Sequence, residues 1–164
     1  MKYNNSTEWN ELKNKYRLDL SWDNKKTSGK FRYNSNGNRL ARIRDIKHVR
    51  KYLKNHNIGF AIDKKKKILP VFAAGGFDPY TRKVILRENP TYLSLRHERF
   101  HAEQYINLGE EKYLSQTRLE REEYVYSQIM KHKDEFDAEE IFNAQRYIYK
   151  LRNGEEPPPN WKGY

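Results

Sequence analysis

Residues 97–101, His97-Glu98-Arg99-Phe100-His101, decide how this chain is read. They fall in a segment, Thr91 to Leu108, whose pattern predicts a helix closed by Gly109. On a helix, positions four apart lie just over one turn apart on the same face, so both imidazoles can grip one cation. Neutral imidazole suits zinc, and Glu98 stands one residue step away, where it can abut water without ligating. With five His and fifteen Glu in 164 positions, only about 0.01 accidental H-E-x-x-H matches are expected, which makes the motif specific. The competing reading is a pair of surface histidines that hold no metal. Leu93, Phe100 and Tyr105 are expected on the apolar side of this helix, with Arg96, Arg99 and Glu103 in water.

A catalytic zinc needs a third protein ligand and an open fourth position. Extension to a third downstream His requires Gly at 104 and His at 107, but the chain has Gln104 and Asn107, which rules that subclass out. There is no cysteine, so the ligand should be a carboxylate or another His. His132, between Lys131 and Lys133, reads as a surface residue. The better source is the next helix, expected over 110–133, with a buried stripe of Leu119, Tyr126, Ile129 and Met130. Glu122 falls on that stripe, and a buried carboxylate is costly unless paired or coordinating. Glu123 and Glu120 are the alternatives, and a solvated acidic face pairing with Arg118 and Arg121 is the structural one. Tyr124 and Tyr126 are candidates for oxyanion support.

Outward from this centre, residues 1–40 are rich in Asn, Lys, Ser and Gly without a sustained period, and read as a basic, poorly structured arm or linker. Ile43, Ile46, Val49 and Leu53 recur at helical steps and predict a helix over 43–54. The apolar runs 58–62 and 68–74, separated by Asp63 and four lysines, read as a hairpin. Gly75-Gly76-Phe77-Asp78-Pro79 reads as a turn, and Val84–Leu86 as a short edge strand. Asp137, with Glu140 three residues on, forms a capping box for a last helix ending near Gly154. The tail 155–164, with three consecutive prolines, cannot be helical. The expected division is arm 1–40, domain 41–154 and tail 155–164.

In 164 residues there is room for one domain with a modest core. The absence of cysteine excludes disulfide frameworks, thiolate zinc sites and cysteine nucleophiles. No apolar run approaches the roughly 18 residues of a membrane span, and the start, MKYNNSTEWN, shows no signal-peptide core. The net charge of +11 is uneven. Residues 1–67 hold 19 Lys/Arg against 6 Asp/Glu, a net of +13, while the remainder holds 14 against 16. That excess motivates a second reading, a basic nucleic-acid-binding or nuclease module, but no recognised nucleic-acid motif accompanies it and no residue is assigned to such a role. A third reading is a degenerate metal-free fold used only for binding.

Taken together, Ala74–Pro79, Val84–Arg87, His97–Gln104, Leu119–Tyr126 and Asn143–Ile148 resemble the zincin-like metallopeptidase toxin domains of bacterial polymorphic toxin systems. The resemblance spans about residues 45–153. It implies a small α+β domain of the gluzincin type: a short sheet (hairpin plus edge strand) packed on the HExxH helix, with two further C-terminal helices. It implies His97 and His101 as zinc ligands, Glu98 as catalytic base and the Glu122 region as third ligand. Val84–Leu86 is the segment available as the edge strand to which a substrate peptide adds. It further implies a secreted parent toxin acting on protein or peptide in the cytoplasm of a target cell, and a cognate immunity protein as partner.

Overall fold

In a computed structural model, which describes residues 31–164, the elements follow the apolar periodicity of the sequence except where a side chain captures the backbone. Helix α1 spans Ile43–Asn55 and buries Asp45, Val49, Tyr52 and Leu53. Its stripe is rotated from the expected one, for Ile43 is 69% exposed. Strands β1 (Gly59–Asp63), β2 (Gly75–Asp78) and β3 (Lys83–Arg87) follow. Helix α2 spans Tyr92–Leu108, α3 Glu110–Ser115, α4 Arg118–Lys131 and α5 Ala138–Asn153, with a 3₁₀ turn at Lys133–Glu135. The fold is α+β, as expected, and no described helix is long and apolar enough to cross a membrane.

The sheet order is β1-β3-β2, with β1 parallel and β2 antiparallel to β3. This corrects two expectations. Val84–Leu86 is the central strand, not an edge: its buried Val84, Ile85 and Leu86 carry partners on both sides. The hairpin joins β2 to β3, and residues 64–74 form a loop. The reason lies in Asp63, whose carboxylate accepts from the backbone N–H groups of Lys67, Ile68 and Leu69 at 2.9–3.1 Å. Those donors would otherwise serve a strand ladder, and Pro70 has none to offer. Arg87 completes the clasp, donating to Asp63 at 2.8 Å and to the carbonyls of Leu69 and Ala73. Gly75–Pro79, expected as a turn, is strand β2 as far as Asp78; the turn follows over 79–82, where Asp78 accepts from the Tyr80 N–H at 3.0 Å and the Thr81 hydroxyl at 2.6 Å.

Helix α2 is the central layer. On one side Leu95, Ala102 and Tyr105 join Val49, Leu53, Val84 and Leu86; on the other, Tyr92 and Phe100 join Val125, Ile129, Phe136 and Ala144. Packed on both sides, it has no wet face, and Arg96, Arg99 and Glu103, expected in water, are buried. Their charges are matched internally: Arg96 pairs with Glu135 and donates to the Tyr92 hydroxyl, while Arg99 lies 4.5 Å over the Tyr52 ring. His132, expected on the surface, is buried with its ring stacked on Phe100 and its Nδ1 2.8 Å from the Gln128 carbonyl.

The helix expected over 110–133 is two helices. Thr117 breaks it by capping α4: its hydroxyl accepts from the Glu120 N–H while the Glu120 carboxylate accepts from the Thr117 N–H. The capping box at Asp137–Glu140 and the left-handed Gly154 end α5 as the sequence suggests. Residues 1–30 of the expected arm lie outside the described residues. The part that is described packs on the domain, with buried Arg39 donating two hydrogen bonds to Glu140 at 2.7–2.9 Å. In the tail, Trp161 rests on Phe142 and Tyr149 of α5.

Candidate metal centre

Helix α2 enters the molecule through Thr91, whose hydroxyl accepts from the Ser94 N–H at 3.0 Å. Its burial fixes its rotation, and His97 and His101 therefore face one direction, with Nε2 atoms 3.2 Å apart. Helix α4 is docked against it by Val125 and Ile129. That face also carries Glu122, three residues before Val125, and brings its Oε2 to 3.1 Å from His97 Nε2 and 3.4 Å from His101 Nε2. The structure thus gathers His97, His101 and Glu122 into one cluster. The stripe that carries Glu122 differs from the expected one, since Leu119 is exposed and Tyr126 and Met130 only half-buried.

The other candidates go elsewhere. Glu123 binds Arg152 through both oxygens at 2.6 and 2.8 Å, and Glu120 is spent on the α4 cap. Tyr124 and Tyr126, candidates for oxyanion support, are corrected: neither lines the cavity at the cluster, and both pack against the apolar group around Phe100. Instead Tyr147 of α5 donates to Glu122 Oε1 at 3.3 Å with its ring edge-on to His97, and the Tyr113 hydroxyl lies 3.4 Å from His101 Nδ1. An arginine adjoins each tyrosine: Arg118 lies beside Tyr147, and the Arg121 guanidinium sits 5.1 Å over the Tyr113 ring. Neither tyrosine is among the candidates read from the sequence. Tyr147 does share a helical face with Ala144 and Ile148, and that spacing is the signal that could have found it.

Glu98 lines the same cavity, a cleft of about 700 Å³ between Phe72–Phe77 on one side and α4 and α5 on the other. It is buried against β2, where a Cβ on Gly75 would stand 2.9 Å from its Cγ and 2.7 Å from Leu86 Cδ2. Only glycine lets the strand and this glutamate approach so closely. Burial raises the proton affinity of Glu98 and Glu122 adds to it, against the pull of His97 and His101. At Glu122 burial acts the same way, but the adjoining His101 and His97 rings outweigh it and hold the carboxyl well below the usual range. Burial disfavours the imidazolium of His97, and Glu122 and Glu98 more than offset it. Burial also pushes the Tyr113 hydroxyl up to about 12 despite Arg121.

These groups fit a metal. Two imidazole nitrogens and a carboxylate oxygen converge at 3.1–3.4 Å, and the buried Glu122 Oε2 has no hydrogen-bond donor of good geometry. If His101 Nδ1–H donates to Tyr113, its Nε2 presents a lone pair to the cluster. Electron-rich atoms crowded this way call for a cation among them. A tetrahedral zinc with bonds of about 2.0–2.1 Å separates its ligand atoms by about 3.3–3.4 Å, close to the spacing found.

Comparison with curated proteins and with solved structures returns no match. A family model does match: that of metallopeptidase toxin 4, over residues 23–154, most of the chain and all three cluster residues. The chain belongs to the metallopeptidase toxin 4 family.

Proposed function

We propose that this chain is a zinc-dependent peptidase, the toxin domain of a secreted protein that acts in the cytoplasm of a competing bacterial cell. The observation that carries the reading is the convergence of His97 Nε2, His101 Nε2 and Glu122 Oε2 at tetrahedral-edge distances beside Glu98. Membership of a metallopeptidase toxin family supports the reaction class and the toxin role.

In this reading His97, His101 and Glu122 hold the ion, with Tyr147 and Tyr113 orienting Glu122 and His101 from behind. A bound zinc supplies Lewis acidity, polarising a carbonyl oxygen and acidifying water at the centre. Glu98 does not ligate: its carboxylate accepts the proton of the attacking water and passes it to the leaving amine nitrogen. The substrate peptide adds to the outer edge of β2, whose Gly75, Gly76 and Phe77 line the cavity, which is the role the sequence analysis gave to Val84–Leu86. A cognate immunity protein in the producing cell belongs to the same proposal.

The test pairs metal analysis with a cell-killing assay. Wild type and Glu98→Gln should both purify with about one equivalent of zinc, and only wild type should kill. Killing by the Glu98→Gln protein would remove Glu98 from the chemistry, and a metal-free wild type would favour a binding-only fold.

A further inference from the structure

The α4 wall of the cavity carries positive charge that the peptidase reading leaves without a task. Arg118 and Arg121 are three residues apart on α4, hence on one face, and both line the cavity. Arg118 lies beside Tyr147; Arg121 stands 5.1 Å over the Tyr113 ring and donates to the Thr117 carbonyl at 3.4 Å. Among the described residues no carboxylate lies within ion-pair distance of either guanidinium. A guanidinium has five N–H donors in a planar fork that matches a carboxylate, so each retains donors for a ligand. The tyrosine beside each arginine reaches a member of the metal cluster, which puts the charge within one side chain of the reacting atoms.

The opposite wall is β2 and the chain before it. A peptide extended along β2 turns alternate side chains to opposite sides, and one turned toward α4 meets the two arginines. We propose that Arg118 and Arg121 form a subsite for a substrate carboxylate, so that the scissile bond lies next to an acidic side chain or close to a C-terminus. This rests on the peptidase reading, and its test separates the two.

Three probes are titrated calorimetrically into the zinc-loaded Glu98→Gln protein: Ac-Ala-Ala-Glu-Ala-Ala-NH2, its Gln counterpart, and the blocked tripeptide Ac-Ala-Ala-Ala with a free C-terminal carboxylate. One of the carboxylate probes should bind about 10- to 100-fold tighter than the Gln peptide, the worth of a charge-assisted hydrogen bond. Tighter binding of the Glu probe identifies a side-chain subsite; tighter binding of the free acid identifies a terminal one. Arg118→Gln and Arg121→Gln should each shrink the preference, and Arg→Lys at either position should retain part of it, which covers a Gln variant that misfolds. Equal affinity for all three probes overturns the subsite, as does a preference that survives both Gln substitutions. Since binding is read without turnover, a wild-type protein that cleaves no peptide would count against the peptidase reading alone. Where cleavage occurs, the ratio of kcat/KM for the Glu over the Gln peptide falls toward one in the Arg→Gln variants if the side-chain subsite is right.

Discussion

Glu122 differs from Glu120 and Glu123 by rotation about the α4 axis alone. One residue step is about 100°, enough to turn Glu123 out to Arg152 and to leave Glu120 in the helix cap. Substitution should separate them. Glu122→Ala is expected to weaken zinc binding by more than the 10- to 100-fold that losing a supporting hydrogen bond costs, while Tyr147→Phe stays within about that range. Glu123→Ala should leave affinity unchanged, because its partner is Arg152. Competition against a chelating dye measures all three, and an equal loss for Glu122→Ala and Glu123→Ala would contradict the assignment of Glu122.

Asp63 governs an element rather than a site. Its carboxylate holds the 64–74 loop, keeping Val71 and Phe72 at 98% and 91% exposure on a loop that reaches the cavity. The Leu69 N–H first of all, with those of Lys67 and Ile68 and the Arg87 charge, lowers its pKa against the opposing effect of burial. The folded state therefore binds this proton more weakly than the unfolded chain does. Its stabilisation is complete above the ordinary carboxylate pKa of about 3.9 and is lost as pH falls through the lower, folded value. The loop should become protease-sensitive on acidification, before the rest of the domain, and Asp63→Asn should be sensitive already at neutral pH. A loop equally resistant in both proteins would show that the clasp is dispensable. The same residue explains why the expected hairpin failed: apolar runs on both sides of a polar stretch suggest paired strands, but a carboxylate at the strand end took the donors first.

Across the whole molecule, α2 is held by packing on two sides, and the charge of Arg96 is neutralised from a distant part of the chain. Glu135, 39 residues away, answers Arg96. Glu135→Ala should cost about 3–5 kcal/mol in urea unfolding, because it leaves Arg96 buried without its counter-ion. A loss below 1 kcal/mol would mean that Arg96 reaches solvent. Such burial also explains why the sequence misjudged Arg96, Arg99 and Glu103. Charged residues read as wet when only one helix is in view, and the partner of Arg96 is recognisable only after the chain has folded.

Local order therefore determined much here. The H-E-x-x-H spacing, the caps at Thr91, Thr117 and Asp137, and the stop at Gly154 act within one helical turn, so the chain specifies them directly. That spacing also put both histidines on one face before any contact was known. Tertiary structure decided which glutamate turns inward, which strand is central, and which tyrosines and arginines reach the cleft. Each of those depends on how one element is rotated against another, and only the packing of α2 between the sheet and the α4–α5 pair sets that rotation.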